Sequence, residues 1–497
     1  MTMPNSPKVK LAVVGVSRDC FPVELTRARL KALVKACKDA GVKVFACPTI
    51  IENETHTMAA LAEASEAGCN AAVIYLGNFG PEGPLAIFAQ KFNGPVMAVA
   101  AAEESGNSLV GGRGDAYCGM LNASYNFGLR KLPVYIPQMP VGLPEELARK
   151  IARFQDIARV VIGAKNLKIF AFGPRPQDFF ACNAPIKPLY DLGIEVMENS
   201  ELDLLQLFQA VEESDPAVKK VSKEMAKELG EGNYYADLLP KLARFEVTLT
   251  RFAEKNLGSR QFGVFADKCW PAFESAFGFV PCYVNSRLAS KGMPVACEVD
   301  IYGALSEYLC QLASEQPATL LDINNTVPRD MTVGADLKGA AVEDLFMGFH
   351  CGNTPSCCMK NCSMKYQLIM NRLIESGGTP DITRGTLEGQ IRPGATTFFR
   401  LQGNAAGELV SYCAEGEILD IDPKSFGGIG IFAIPDFARF YRHVLIGKCF
   451  PHHGAVAFAK CGKTLVDAVR MLGVKDINVP LPNTMMYAGE NLFELLD

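Results

Sequence analysis

Short, unbroken apolar runs set apart by polar helical stretches dominate the first third of the chain. KVKLAVVGVS, VKVFACPTI, CNAAVIYLG and GPVMAVAA are rich in Val, Ile and Ala, and each leads into a polar or glycine-containing turn. Runs without alternation predict strands buried on both faces, the pattern of a parallel sheet. Between the first two lies ELTRARLKALVKACKDAG, a helical stretch ending at Gly41, where a glycine is expected to stop a helix. Strand and helix in alternation predict a doubly wound α/β domain.

From Leu132 to Glu146 the pattern breaks. LPVYIPQMPVGLPEE carries four prolines, which neither a central strand nor a helix interior accommodates. A helix is predicted next, with Leu147, Ile151, Phe154, Ala158 and Val161 on one face at spacings of four and three. We read the proline run as a hinge between two α/β domains. In the second, LKIFAFGP, GIEVMEN, QFGVFAD and MPVACEVD predict strands, and a helix from about Lys219 to Leu229 is stopped by Gly230. Beyond Thr326 the character changes. GATTFFRLQG, GELVSYCAEGEILDI and FGGIGIFAI are β-rich with glycine turns, predicting a β-barrel-like third domain with one helix near Thr464 to Leu472. The expected domains are residues 1–165, 166–325 and 326–497.

Composition narrows the function classes. A chain of 497 residues is too long for one core, and 49% apolar with 21% charged residues is ordinary globular composition. The net charge of −5 argues against a nucleic-acid partner, which needs a basic face. No apolar run approaches the roughly 18–20 residues of a membrane span, so no membrane partner is expected. The start passes from a polar leader directly into a strand without a signal-like apolar region, and the expected location is cytoplasmic. The seventeen cysteines, mostly inside apolar runs, are then expected to be reduced and buried. FHCGNTPSCCMKNC gathers His350, Cys351, Cys357, Cys358 and Cys362, but its spacing matches neither a paired zinc motif nor a ferredoxin run. VVGVSRD lacks the dinucleotide glycine spacing, and no phosphate-binding loop motif occurs.

Candidate chemistry concentrates in three places. CEVDIYGALSEYL puts Glu298 and Asp300 at the end of a predicted buried strand, and TLLDINN puts Asp322 in the same situation on the next. Ligands gather at the carboxyl ends of strands in open α/β sheets, although either acid would also serve as a helix cap. Of only five histidines, His452 and His453 are adjacent in PHHGAVAFAKCGKTL, a turn-like segment that would equally suit a solvated surface. Two carboxylates and an imidazole suit a divalent metal such as Mn²⁺. That combination fits aldose–ketose isomerisation, where a proton leaves carbon beside a carbonyl and carboxylates shuttle it.

At these segments the chain resembles the L-fucose isomerase family, related in fold to L-arabinose isomerase. PVACEVDIYGAL resembles the family's glutamate motif, TLLDIN its aspartate motif, and HHGAVAFAKCGKTLVDAVRMLGV its late histidine segment. The resemblance implies Glu298, Asp322 and His453 as ligands of Mn²⁺, with Glu298 and Asp322 also acting as acid–base groups. His452 stands where the family carries asparagine. FHCGNTP resembles an H-x-x-N stretch, making His350 and Asn353 substrate-side candidates, with His350 also a second candidate ligand. Trp270, in GVFADKCWPAF, and Arg18 resemble residues that contact the sugar, Arg18 across a subunit boundary. The implied architecture is two Rossmann-like α/β domains followed by a β-barrel-like domain, in a homo-oligomer, hexamer or trimer. The expected activity is isomerisation of L-fucose, L-arabinose or D-arabinose. The aromatic that the family carries after its third strand is absent, the stretch here reading YLGNFGPEGP with Asn78 and Phe79. An anionic, C6-substituted hexose is therefore an alternative substrate, should Arg18 or Arg113 face the pocket. The other alternative is a non-catalytic sugar-binding protein, since fold does not specify function.

Overall fold

Leu11–Val16, Ala71–Leu76 and Val96–Ala101 are buried at every position in the computed structural model, which describes residues 5–491 and 493. They pair in parallel, flanked by Val44–Ala46 on one edge and Val141–Gly142 on the other. The spatial order Val44–Ala46, Leu11–Val16, Ala71–Leu76, Val96–Ala101, Val141–Gly142 is a doubly wound arrangement. The predicted helix forms over Val23–Asp39, and Gly41 follows it with a φ of 78°.

This sheet belongs to one of two compact units, Pro7–Ile162 with Asp467–Gly473. Tyr135 Oη donates to Asp467 Oδ2 at 3.2 Å, and Arg153 pairs with the same carboxylate. The proline run lies inside this unit rather than at its border. Its Val141–Gly142 forms a sheet edge, where prolines are tolerated, and Pro144 opens the helix Pro144–Lys165.

The other unit is built on Gly163–Val466, with described residues from both chain ends. It contains two sheets. The smaller is parallel, in the order Glu195–Ser200, Leu167–Gly173, Phe262–Ala266, Val295–Ala296. Phe252, on the helix Leu239–Asn256, meets Phe170 and Phe172 of this sheet at centroid distances of 5.4 and 5.2 Å. Of the predicted strand MPVACEVD only Val295–Ala296 pairs; the chain then turns through Cys297–Val299 into the helix Ile301–Ser314.

The larger sheet has nine strands and is mixed. Its order is Met359–Tyr366, Arg384–Ile391, Gly428–Ala433, Leu345–His350, Ala318–Thr326, His453–Ala457, Gly394–Gly403, Leu409–Leu419, Asp476–Asn478. Gly428–Ala433 pairs additionally with Leu409–Leu419. This sheet begins earlier than the sequence pattern suggests. Ala318–Thr326, expected as a neighbour of the Val295 strand, instead lies antiparallel between Leu345–His350 and His453–Ala457. Its apolar half, Ala318–Leu321, is fully buried, and a run of that kind fits the centre of either sheet type.

His453–Ala457 also departs from the sequence pattern. PHHG is not a surface turn: His453 opens a strand buried at all five positions. Gly454 makes the strand's close approach feasible, because a Cβ there would overlap the Phe398 ring and the Tyr412 hydroxyl. Gly454→Ala is expected to lower unfolding stability by about 1–3 kcal/mol, the usual range for overpacking. Urea denaturation of the variant against the parent checks it.

Candidate metal centre

Three elements of the second unit deliver acids and imidazoles to one spot. The first is the turn after Val295–Ala296, where Glu298 and Val299 both adopt left-handed backbone at φ 55°. For a β-branched valine this conformation is a true outlier and is strained. The Val299 amide is held by the Asp267 carbonyl at 2.8 Å, which fixes the turn. The capping role falls to Asp300, whose Oδ1 accepts from the Gly303 amide at 2.8 Å, and Glu298 is left free of it.

The second and third elements are paired strands. Asp322 stands directly opposite His453 in the antiparallel register, and opposed residues bring their side chains together. The neighbouring strand Leu345–His350 ends on His350.

His453 Nε2 lies 2.9 Å from Glu298 Oε2 and 3.3 Å from Asp322 Oδ1. His350 Nε2 is 3.9 Å from the same Glu298 oxygen, and His452 Nε2 is 3.6 Å from Asp322 Oδ1. Glu298 Oε2, Asp322 Oδ1, His350 Nε2 and His453 Nε2 are all buried without a hydrogen-bond partner. Buried polar atoms are nearly always satisfied, so four orphans converging on one point call for a group that satisfies them together. Asp322, His350 and His453 have ligand atoms within 4.8 Å of one another, as a metal ion would require.

Behind this point His453 is locked. Its Nδ1 is 2.9 Å from Asp300 Oδ2, and the Cys182 sulfur is 3.6 Å from the same nitrogen. Arg400 grips both oxygens of Asp300 with its two terminal nitrogens, the Nη2 contact at 3.0 Å. Arg400 and Asp300 are each 1% exposed. A carboxylate on Nδ1 leaves the lone pair of Nε2 facing the centre, the arrangement that orients metal-binding histidines.

The electrostatics agree. Burial alone would raise the Asp300 carboxyl, but the Arg400 charge and the His453 contact hold it well below the usual carboxylate range. Burial would likewise raise Asp322, yet its His453 contact and the His350 and His453 rings bring it down to about 2. Glu298 is lowered against its burial by the same two histidines. His453 is pushed up despite a burial effect of opposite sign, because Asp300, Asp322, Cys182 and Glu298 surround it. Arg400 balances Asp300, and the charge on the His453 ring faces Glu298 and Asp322; a divalent cation binding at Nε2 would displace that proton and neutralise the two carboxylates in its place. The donor set of two carboxylate oxygens and one imidazole nitrogen suits Mn²⁺ or a similar ion.

Glu298, Asp322, His453, His350 and His452 are thus brought together. Trp270 stands one ring away: it meets Phe179 edge-on at 6.2 Å, and Phe179 meets His452 at 5.3 Å and His453 at 6.3 Å. Asn353 is buried with both amide atoms unpaired. Arg18 belongs to the other unit, where it lies over Phe79 at 5.0 Å and 3.7 Å from Glu82. Arg400 and Cys182 escaped the sequence reading. A lone arginine in the apolar run TTFFRLQG was the available signal for the former; nothing marked the latter. Among the described residues, no group able to hold a metal draws on Cys357, Cys358 or Cys362. Cys351 is engaged elsewhere, its sulfur 2.9 Å from Gln367 Nε2.

Residues 12–165 match a family model described as fucose/sulfoquinovose isomerase, N-terminal domain, and residues 348–478 match L-fucose isomerase, C-terminal domain. A sulfoquinovose isomerase of Alkalicoccus urumqiensis is 24% identical over 353 residues, 68% of this chain and 71% of the relative. One from Clostridium sp. (strain MSTE9) is 27% identical over 301 residues, 59% of this chain and 61% of the relative. A third, from Priestia aryabhattai, is 29% identical over 177 residues, 34% of this chain, and the match spans only 37% of the relative's length. His350, Asn353, Arg400, His452 and His453 fall inside the second family match, whereas Glu298, Asp300 and Asp322 lie between the two.

Proposed function

Because the chain belongs to the L-fucose isomerase family, we propose that it is a metal-dependent aldose–ketose isomerase acting on a C6-sulfonated hexose. The observation that carries the reading is the convergence of three unpaired, buried ligand atoms: Glu298 Oε2, Asp322 Oδ1 and His453 Nε2. A bound divalent cation would supply Lewis acidity toward the two oxygens on C1 and C2 of an open-chain sugar, acidifying the carbon-bound proton.

The chain's own groups do the rest. Asp322 and Glu298, both held toward the ionised form, are bases able to accept that proton and return it to the adjacent carbon. Asp300 and Arg400 keep His453 in one orientation. Phe179, in edge contact with Trp270 and His452, forms an aromatic wall on the His452 side of the centre. His452, His350 and Asn353 are the polar contacts for sugar hydroxyls in this reading.

The substrate class rests on the relatives named for sulfoquinovose, and L-fucose, L-arabinose and D-arabinose fit less well. Contributed across the subunit boundary of the proposed oligomer, Arg18 and Arg113 are the candidate partners for the anionic end. Mn²⁺ as the metal, a homohexamer or trimer, and a cytoplasmic location go with the same reading. No helix among the described residues is long and apolar enough to cross a membrane. The three-domain division belongs to the proposal as well, its barrel supported by the added pairing of Gly428–Ala433 with Leu409–Leu419.

The test uses protein stripped by chelator, then given Mn²⁺, with each aldose followed by NMR. Conversion of sulfoquinovose to its ketose is expected to vanish on stripping, return with Mn²⁺, and exceed that of L-fucose in kcat/KM. Full turnover by metal-free protein, or no ketose from any aldose, would end the proposal.

A further inference from the structure

The two buried histidines facing Glu298 look alike in position but are wired oppositely. Their rings lie 5.8 Å apart between centroids. His453 Nδ1 faces a carboxylate, Asp300 Oδ2 at 2.9 Å, which can only accept. His350 Nδ1 faces the Cys351 backbone amide at 2.9 Å, which can only donate. The Nδ1 proton of the His453 ring is therefore fixed, and Nε2 is the nitrogen that would give its lone pair to a cation at the centre. For His350 the order is reversed: Nδ1 spends its lone pair on the amide, and Nε2 carries the hydrogen.

We infer that His350 is a hydrogen-bond donor to the reacting end of the sugar and not a metal ligand, although its Nε2 lies within ligand distance of the same atoms. The inference deepens the isomerase reading and rests on it. His350 is 3% exposed, and its Nε2 has no partner. An N–H buried in that way lacks an acceptor, and the nearest charge is Glu298 Oε2 at 3.9 Å, beyond hydrogen-bond reach.

The segment after His350 keeps the ring from changing roles. Gly352 has a φ of 145°, and a Cβ there would overlap Thr386 Oγ1 and the backbone of Leu387. The Thr386 hydroxyl donates to the Cys351 carbonyl, and Gln367 Nε2 donates to the Cys351 sulfur at 2.9 Å. The Cys351 amide is thereby fixed against His350. Ligation through Nε2 would move the ring proton to Nδ1 and set one N–H against another.

A neutral N–H beside the base has a definite use. As the proton leaves carbon, negative charge grows on the neighbouring oxygen, and a preorganised donor stabilises it there. His350 thus acts on the oxygen while Glu298 or Asp322 acts on the carbon-bound proton.

The experiment compares His350→Gln, which keeps an N–H donor at a similar reach, with His350→Leu, which has none. His453→Gln serves as the control for a lost ligand. Mn²⁺ affinity is measured by titration with electron paramagnetic resonance of the free ion, and kcat and KM with the sulfonated aldose. Both His350 variants are expected to bind Mn²⁺ within about threefold of the parent, while His453→Gln weakens binding about 10–100-fold or more. His350→Leu should lower kcat about 10²–10³-fold, with KM little changed, and His350→Gln should recover at least about tenfold of that loss. Loss of Mn²⁺ affinity in the His350 variants to match His453→Gln overturns the inference, as does parental kcat in His350→Leu. Should His350→Leu not fold, the Mn²⁺ affinity of His350→Gln decides alone: retained affinity supports the donor, lost affinity overturns it. A parent protein that binds Mn²⁺ but isomerises nothing sinks the functional reading instead, and the affinity comparison still shows whether His350 is a ligand.

Discussion

Glu298→Gln and Asp322→Asn are each expected to cut kcat by about 10²–10⁴-fold, the range for removing a general acid–base group. Each change removes a negative ligand and a proton acceptor while keeping the side chain's size. The two acids serve one centre, with His453 Nε2 2.9 Å from one and 3.3 Å from the other. Their effects should therefore not add: the double variant is expected to be little worse than the poorer single one. Stability should move the same way. His453 and His350 hold both carboxyls below their ordinary values against their burial, so the ionised acids stabilise the metal-free fold and neutralising either removes that contribution. Urea midpoints measured with chelator at neutral pH are expected to fall as turnover collapses. Variants that keep more than about a tenth of parental kcat, against the 10²–10⁴-fold expected, would show that these carboxylates are not the proton carriers.

The strands that carry these residues differ in how far their patterns reveal them. The first sheet was readable because runs such as LAVVGV and AAVIYL are apolar throughout and lie between clear helices. Ala318–Thr326 was readable as a strand but not in its partners. Its apolar half fits a parallel or an antiparallel neighbour equally, and the strand that pairs with Asp322 begins at His453, far along the chain. His453–Ala457 itself was hidden, since His-His-Gly has the composition of a turn. Burial of His453 is stable because Asp300 stands on its far nitrogen, a contact between distant segments. The turn at Glu298 was hidden for a different reason. PVACEV has the apolar run of a strand, and a left-handed valine is a conformation no propensity anticipates. Glu298 and Asp322 are nonetheless legible, because residue type and strand-end position are local properties, whereas His453 stands out only through the family resemblance of its segment. Asp300 was seen only as a strand-end acid, and its task depends on Arg400, one hundred residues later.

That pair gives the largest expected effect on stability. Arg400→Met should lower the unfolding free energy by about 3–5 kcal/mol, the cost of leaving one member of a buried ion pair without its partner. Among the described residues nothing else of fixed positive charge contacts the Asp300 carboxylate, whose remaining partners are the Gly303 amide and the His453 ring. Asp300→Asn acts differently. It removes the carboxylate that fixes Nδ1–H on His453, so Mn²⁺ affinity should fall about 10–100-fold, the usual effect of losing a partner behind a ligand. It also leaves the Arg400 guanidinium buried without its partner, so the single variant is destabilised as well. The double variant Asp300→Asn/Arg400→Met removes both charges. Its stability should recover at least half of the Arg400→Met loss, since replacing both members of a buried pair is far milder than breaking it. Its Mn²⁺ affinity should stay as low as that of Asp300→Asn. Urea unfolding with chelator and Mn²⁺ titration on the four proteins separate the two roles. If stability losses simply add, the pair is not the closed electrostatic unit that the fork of Arg400 on Asp300 describes. If Mn²⁺ affinity returns in the double variant, Asp300 holds Arg400 rather than His453.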